Sequence, residues 1–475
     1  LKVLSIVLNG VMHDTRVQEI ARAISEMGNQ VVICGVRSKD GPERPQQIGK
    51  DLTLDYIEQP TKEELISGLA KRLKNVKYVI NIIKFIGCEV TFIVAPIAAI
   101  IGFHLIFGAK NGGWIISATM LLGTLIFYSK IKFRPWLGRI VYGTIYEEKF
   151  LEYIESYKPD IIHCNDLPVL RIAAIYKRKN PDIKLVYDSH EIYSGMSGVS
   201  FIERYKWKAV ERKAAKLASA FITVNPYILA ILEKANPSLP KGLVVRNAFH
   251  KKNEICKTSS KKLSSGAENI IKKTIFAECG GSNLFATQRS KEIFNKKILL
   301  FQGGIGPGRG LDKLVDAAKY LDNPWIIVFI GWGSLQNELE ASASRADLLN
   351  EKVFFLPRVS RKKLNVWTRA ADVGVIPYQK VSMNNWYCSP NKLWEYPSCG
   401  VPILASPNPY MVDVIEKNRI GWVLPEDFGG RDIASIINSL NQKEINEKSN
   451  SCYKFSVENS WDKEKLKVEE AYNSI

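Results

Sequence analysis

Short runs of β-branched and other apolar residues alternate along this chain with stretches of helical periodicity, the pattern of parallel sheets wrapped by helices. In the first half the strand candidates are Val3 to Leu8, Gln30 to Val36, Leu52 to Ile57, Asp160 to Cys164, Lys184 to Tyr187, Ala220 to Val224 and Leu243 to Val245. A second series runs near Ile298 to Gln302, Trp325 to Ile330, Val353 to Leu356, Val373 to Ile376, Val401 to Ala405 and Gly421 to Leu424. With 475 residues the chain exceeds one compact core, so two domains are expected. The expected fold class is α/β, with two Rossmann-like, doubly wound parallel-sheet domains. Residues 1–250 form the first and 298–455 the second. Between them, 251–297 is rich in Lys, Ser and Asn and reads as a linker with an elaboration. The tail, 456–475, has helical spacing with Trp461, Leu466 and Tyr472 as apolar positions.

One segment, 78–132, departs from this alternation. From Val90 to Gly108 the sequence is apolar except for Thr91 and His104, long enough to cross a hydrocarbon core of roughly 30 Å. After AKNGG a shorter apolar run extends from Trp114 to Tyr128. Lys71, Arg72, Lys74, Lys77 and Lys84 precede the pair, Lys130, Lys132, Arg134 and Arg139 follow it, and the loop between carries Lys110. The positive-inside rule puts both flanks on the cytoplasmic side. The expectation is an apolar helical hairpin inserted in the first domain, anchoring the protein at about 85–130 to the cytoplasmic face of the cell (inner) membrane. Pro96, His104 and the short second run leave a re-entrant hairpin open, and a buried helix pair is the plain alternative.

The excess of 66 Lys and Arg over 48 Asp and Glu, +18, favours anionic partners without choosing among them. Cys34, Cys88, Cys164, Cys256, Cys279, Cys388, Cys399 and Cys452 are scattered, with no C-x-x-C pair and no His spacing suited to zinc, so a reducing compartment is expected. The opening LKVLSIVLN has no basic n-region or cleavage site, and export is not expected.

Ligands of open parallel sheets bind beyond the carboxyl ends of the strands. After Gln302 comes GGIGPGRG, where Gly303, Gly304, Gly306, Gly308 and Gly310 let backbone N–H groups approach an anion and Arg309 adds a forked donor. A flexible loop with an exposed Arg is the bland reading. After Ile376 the chain reaches YCSPNKLWEYPSCG, with Ser389 suited as N-cap, Pro390 as first helical residue, a helix from Asn391 and Gly400 closing it. Lys392 in that first turn opposes the helix dipole, which makes sense beside a phosphate, and Glu395 can accept from ribose hydroxyls. An N-capped surface helix with an incidental Lys and Glu is the alternative. In the first domain KLVY runs into Asp188, Ser189, His190 and Glu191, where His190 can donate to a phosphate or sugar oxygen and Asp188 or Glu191 can fix its tautomer. A similar cluster, His163 to Asp166, ends the preceding strand. The first loop lacks G-x-G-x-x-G, against a nicotinamide half. Asp14 and Arg16 open the next helix, where a cap and a cleft contact are equally open.

Together these residues resemble the retaining glycosyltransferase family 4. The resemblance rests on H-D-T-R-V at His13 to Val17, V-Y-D-S-H-E at Val186 to Glu191, R-N-A-F at Arg246 to Phe249, F-Q-G-G-x-x-x-G-R-G-L at Phe301 to Leu311, I-G-x-G at Ile330 to Gly333 and S-P-N-K-L-W-E-Y at Ser389 to Tyr396. It implies a GT-B fold and no obligatory metal or cofactor, in keeping with the lack of Asp-x-Asp. It also implies a donor diphosphate clamped by the second domain. Carried over by position, Gly304, Gly306, Arg309, Ser389, Asn391 and Lys392 bind the diphosphate end, Glu395 holds the ribose and Val359 lies beside the base. His190 sits near the anomeric centre. Asp188 and Glu191 are expected beside it as catalytic residues, and Asp14, Arg16 and Asp166 as acceptor or cleft residues. Two departures stand out: Tyr387 replaces a glutamate that the family often has eight positions before Glu395, and Gly304 to Gly306 lacks an additional phosphate-binding Arg.

The expected function is transfer of a sugar from a nucleoside-diphosphate sugar to a membrane-associated acceptor, a lipid-linked saccharide or glycolipid, with retention, in surface polysaccharide or glycolipid synthesis. The expected partners are the nucleotide sugar, that acceptor and the membrane, and not nucleic acid. A nucleotide-sugar epimerase of the same fold and a catalytically silent membrane scaffold are the competing readings.

Overall fold

The computed structural model describes residues 1–12, 14–38, 44–61, 63–64, 134–249, 270–272, 274–275 and 295–475. The expected hairpin and most of 251–297 lie outside them, as does His13. Among the described residues no helix is long and apolar enough to cross a membrane.

The chain packs as two compact units. One comprises Leu1–Cys34, Pro45–Leu54 and Pro159–Ile475 and holds the candidate site; the other comprises Gly35–Arg44 and Asp55–Lys158. Within the latter, the helix Arg134–Tyr157 is fixed by a hydrogen bond from the Tyr153 hydroxyl to Asp55 Oδ2 (2.6 Å) and an ion pair between Lys149 and Glu64 (3.0 Å).

The first sheet contains β1 (Lys2–Ile6), β2 (Gln30–Val36), β3 (Gln46–Gly49), β4 (Leu52–Ile57), β5 (Ile161–Asn165), β6 (Lys184–Ser189), β7 (Ala220–Thr223) and β8 (Leu243–Val244), in the order β3-β4-β2-β1-β5-β6-β7-β8. Strands β1, β5 and β6 run parallel and pair Ile6 with Cys164 and Asn165 with Asp188, which brings their carboxyl ends to one edge. The antiparallel β3, with Ile48 as its one apolar side chain, was not expected from its sequence. The second sheet contains β9 (Lys297–Gly304), β10 (Trp325–Trp332), β11 (Val353–Leu356), β12 (Val373–Ile376), β13 (Ile403–Ala405) and β14 (Gly421–Val423), in the order β11-β10-β9-β12-β13-β14 and parallel in every pair. The reversal between β9 and β12 is a topological switch point, where α/β sheets bind ligands.

Buried apolar side chains from both faces of β9 to β13 make the second core. Ile271 and Ile275 are fully buried in it, so part of the expected linker belongs to this domain. The helix Lys392–Ser398 is seated by Tyr396, whose buried hydroxyl donates to Leu300 O (2.9 Å) and accepts from Gln302 N (3.2 Å). Its ring fills the space a Cβ on Gly374 would need, 2.5 Å away. The helix starts one residue later than expected, with Asn391 as N-cap, and Ser389 accepts from the Trp394 indole instead (3.3 Å). Gly400, at φ +72°, ends it as anticipated: the Gly400 and Val401 N–H groups return to Pro397 O and Tyr396 O, a Schellman closure.

The tail is helical as expected: one helix, Gln442–Glu458, ends just inside it, and a second, Trp461–Asn473, fills most of it. The former buries Cys452 and Phe455 in the second core. The latter packs on the helix Thr15–Glu26, β7 and β8 with Trp461 and Tyr472 buried, while Leu466 is 60% exposed. Helical periodicity does not separate Leu466 from its neighbours, because the covered face is set by a partner some 440 residues earlier, as in the Lys465 to Glu26 pair.

Candidate active site

Beyond the carboxyl ends of β1, β6, β9 and β12 lies a cleft of about 730 Å³, within the range of small-molecule sites. One wall carries Asp14, Arg16, His190, Glu191 and Asn247; the other carries Gln302, Gly304, Arg309, Tyr378, Asn384, Asn385, Ser389, Asn391, Lys392 and Glu395.

The first wall is organised by Asp188, at the end of β6 and fully buried. It receives Arg16 through two contacts, Nη2 to Oδ1 at 2.7 Å and Nε to Oδ2 at 3.1 Å. Arg16 also donates to Val245 O (2.5 Å) and Asn247 Oδ1 (3.1 Å). Burial alone would raise the Asp188 carboxyl, but Arg16 and His190 outweigh it and hold it well below the usual carboxylate range. His190 sits between two acids: Nε2 lies 3.1 Å from Asp188 Oδ2 and Nδ1 lies 3.5 Å from Asp166 Oδ2. Its backbone N–H donates to Asp166 Oδ1 (2.8 Å). Burial would lower the imidazole, yet Asp166 and Asp188 override it and push it up to about 9. His190 is thus a cation at neutral pH.

Asp166 and Asp188, and not Glu191, orient His190. Glu191 also lines the cleft, where burial raises its carboxyl against the opposing pull of His190, Asn384 and Arg309. Asp166 adopts φ +75° and is not among the cleft-lining residues, so it serves His190 from behind. The His163 Nδ1 meets the Tyr472 hydroxyl at 2.9 Å, and burial lowers that imidazole against the opposing pull of Asp188. Asp14 is the N-cap of Thr15–Glu26, accepting from Val17 N (3.3 Å) and Asn9 Nδ2 (2.8 Å). The capping reading of Asp14 therefore holds together with its place at the cleft.

The second wall is cationic. Lys392 is 6% exposed, with Nζ 3.1 Å from the Tyr378 hydroxyl and 4.8 Å from the centre of the Phe301 ring. Arg309 donates to Gly304 O (3.0 Å) and lies 5.6 Å from the centre of the Tyr378 ring. Neither has a carboxylate at ion-pair distance among the described residues. The loop reaches this shape because Gly303 takes φ +111° and Gly310 φ +62°; a Cβ on Gly310 would stand 2.0 Å from Pro377 O. Glu395 faces the same space, and its Oε2 accepts from Gln302 Nε2 (2.7 Å), while Gln302 Oε1 accepts from Thr368 (2.7 Å).

Two expected donor residues are placed otherwise. Val359 packs against the second core and lines neither cleft nor neighbouring pocket, and Gly306 is outside the lining with open space around it. Tyr387 stacks on Tyr227 (5.9 Å between ring centres) and accepts from Asn225 at its carbonyl (2.8 Å), away from the lining. Asn384 and Asn385, on the short helix Met383–Tyr387, and Tyr378 were missed, and Gln302, on β9, was quoted in a motif without a role; amides and a lone tyrosine carry no motif of their own.

The family model of Glycosyl transferases group 1 matches residues 285–456, and that of Glycosyltransferase Family 4 matches 117–247. Among curated relatives, a D-inositol 3-phosphate glycosyltransferase of Xylanimonas cellulosilytica is 31% identical over 113 residues, 23% of this chain and 25% of the relative. The match thus spans a quarter of that relative's length. The structure resembles sucrose-phosphate synthase from Thermosynechococcus elongatus, with TM-score 0.62 and 13% identity over 99% of this chain and 98% of the other. It also resembles Anabaena HepE in complex with UDP-glucose, with TM-score 0.61 and 13% identity over the whole of both chains. Identity at this level carries the fold alone. The architecture is GT-B, and the group 1 and family 4 matches support a glycosyltransferase.

Proposed function

We propose that this protein transfers a sugar from a nucleoside-diphosphate sugar to a hydroxyl of a membrane-associated acceptor, a lipid-linked saccharide or glycolipid, with retention at the anomeric carbon. The observation that carries the reading is Lys392. An ammonium taken out of water without a carboxylate costs several kcal/mol, and a bound diphosphate offsets that cost. Arg309 stands beside the same Tyr378 ring and supplies a second positive donor for the departing diphosphate. Glu395, oriented by Gln302, accepts from ribose hydroxyls.

Across the cleft His190, held cationic by Asp166 and Asp188, sets a positive charge on the side of the transferring sugar. The solved HepE structures contain UDP, UDP with glucose, and UDP-glucose, which supports the donor class. The acceptor assignment and the cytoplasmic-face location rest on the apolar pair Val90 to Gly108 and Trp114 to Tyr128 with its basic flanks. No metal or cofactor enters the scheme.

Purified protein in detergent, given radiolabelled nucleotide sugars and a lipid extract, tests this. Label in the lipid fraction is expected, and is lost in Glu395→Ala. A changed donor sugar without lipid label would instead identify an epimerase, and neither outcome a scaffold. Deleting 90–128 is expected to release the protein from membranes, and continued sedimentation would remove the hairpin as anchor.

A further inference from the structure

Three acids line the cleft, Asp14, Glu191 and Glu395, and the transfer scheme uses one of them. Glu395 is taken by the ribose. Asp14 is occupied as a helix cap, accepting from Val17 N and Asn9 Nδ2. Glu191 is left, half-buried, and among the described residues no Lys, Arg or His stands at ion-pair distance from it.

Its place is set from both sheets. Behind it Thr223 Oγ1 donates to Ser189 O (2.7 Å) and Ser189 Oγ donates to Glu191 O (3.1 Å), which fixes the chain as it leaves β6. In front, Ile192 N donates to Asn384 Oδ1 (2.9 Å), and the same Asn384 side chain bonds the Glu191 carboxyl. The turn Tyr193–Gly195 lies so close to the helix Met383–Tyr387 that a Cβ on Gly195 would stand 2.9 Å from Met383 Cβ. That helix is tied in turn to the glycine loop, where Asn385 Nδ2 donates to Gly308 O (3.1 Å), one residue before Arg309. Glu191 thus adjoins His190 in the chain and feels Arg309 across the cleft. A sugar hanging from a diphosphate gripped at Arg309 occupies the space between them.

We propose that Glu191 is the specificity-determining residue for the transferred sugar: its carboxyl oxygens accept from sugar hydroxyls and select a hexose with those hydroxyls free over a deoxy sugar. The proposal rests on the donor reading above. A carboxylate accepts at about four positions and Asn384 fills one, so neighbouring hydroxyls, each a donor, match the remainder. A sugar without the hydroxyl leaves a half-buried oxygen unpaired, which costs more than the bond itself contributes. Other groups nearby are committed elsewhere. Asn385 is engaged by Ser382 and Gly308, and Tyr387 stacks on Tyr227 outside the lining.

Calorimetric titration of the full chain compares UDP with UDP-glucose and UDP-N-acetylglucosamine, GDP with GDP-mannose, and ADP with ADP-glucose, in wild type and Glu191→Gln. At least one nucleotide sugar should weaken roughly tenfold in the variant while its bare diphosphate shifts by less than about twofold, the signature of one lost charge-assisted bond. Monodeoxy analogues of that donor give a second readout: the one lacking the hydroxyl read by Glu191 binds wild type and variant alike. A residue that only holds Asn384 would weaken sugar and bare diphosphate together. That outcome, unchanged affinity for every nucleotide sugar, or a loss that persists through the whole deoxy series would overturn the proposal. Failure of the wild type to bind any of the three diphosphates would remove the donor reading and this proposal with it, so the two failures are told apart.

Discussion

Arg16 and Asp188, 172 positions apart, meet in a two-point contact of 2.7 and 3.1 Å with both side chains buried. The pair ties the helix after β1 to the end of β6, and from it Asp188 reaches His190. One wall of the cleft is thus an electrostatic assembly in which two carboxylates, Asp188 and Asp166, hold one guanidinium and one imidazolium.

Asp188→Asn leaves Arg16 buried beside a neutral amide. The expected loss is about 3–5 kcal/mol of folding stability, the penalty for stranding one member of a buried pair. Denaturant unfolding of wild type and variant measures it, and a loss under about 1 kcal/mol would show that Val245 O and Asn247 suffice for Arg16.

The charge of His190 sets a pH dependence with a definite sign. Its imidazole titrates higher folded than unfolded, so its contribution is complete below about 6.5 and is lost as pH rises through about 9. Asp188 works oppositely: its carboxyl is depressed, so its contribution stands above about 3.8 and is lost as pH falls through its folded value. Thermal melts of wild type and His190→Gln should therefore converge as pH climbs through that upper interval. Parallel curves across it would mean that His190 is neutral in the folded chain.

Lys392→Met removes a buried ammonium that has a hydroxyl and two aromatic faces for company. In the absence of ligand the melting temperature is expected to stay level or rise, since the desolvation cost disappears while the stem packing is retained. A drop worth more than about 2 kcal/mol would mark Lys392 as a structural residue rather than a ligand-binding one.

Much of this architecture is legible in the sequence, because strands buried on both faces must be apolar runs and their carboxyl ends must carry the polar residues. Gln30–Val36, Val353–Leu356 and Val373–Ile376 match their expected bounds, and His190, Arg309, Lys392 and Glu395 do converge on one cleft. Relations that depend on distant packing were not legible. Nothing near Asp188 in sequence announces Arg16, and nothing near Ser189 or Glu191 shows that Asp166 is the second acid at His190. Val359 was placed by position in a motif, but its half-buried side chain packs against the second core. Tyr387 occupies the place of a familiar acid, and the structure gives it a ring to stack on, Tyr227, rather than a sugar to face.

The central claim is that Lys392 and Arg309 grip a diphosphate. Calorimetric titration of UDP, GDP and ADP into the wild-type protein and Lys392→Met tests it most directly. Saturable binding of at least one nucleotide is predicted, weakened roughly 10- to 150-fold in the variant as about 1.5–3 kcal/mol of charged hydrogen bonding is lost. Absence of binding by all three, or equal affinity in both proteins, would contradict it.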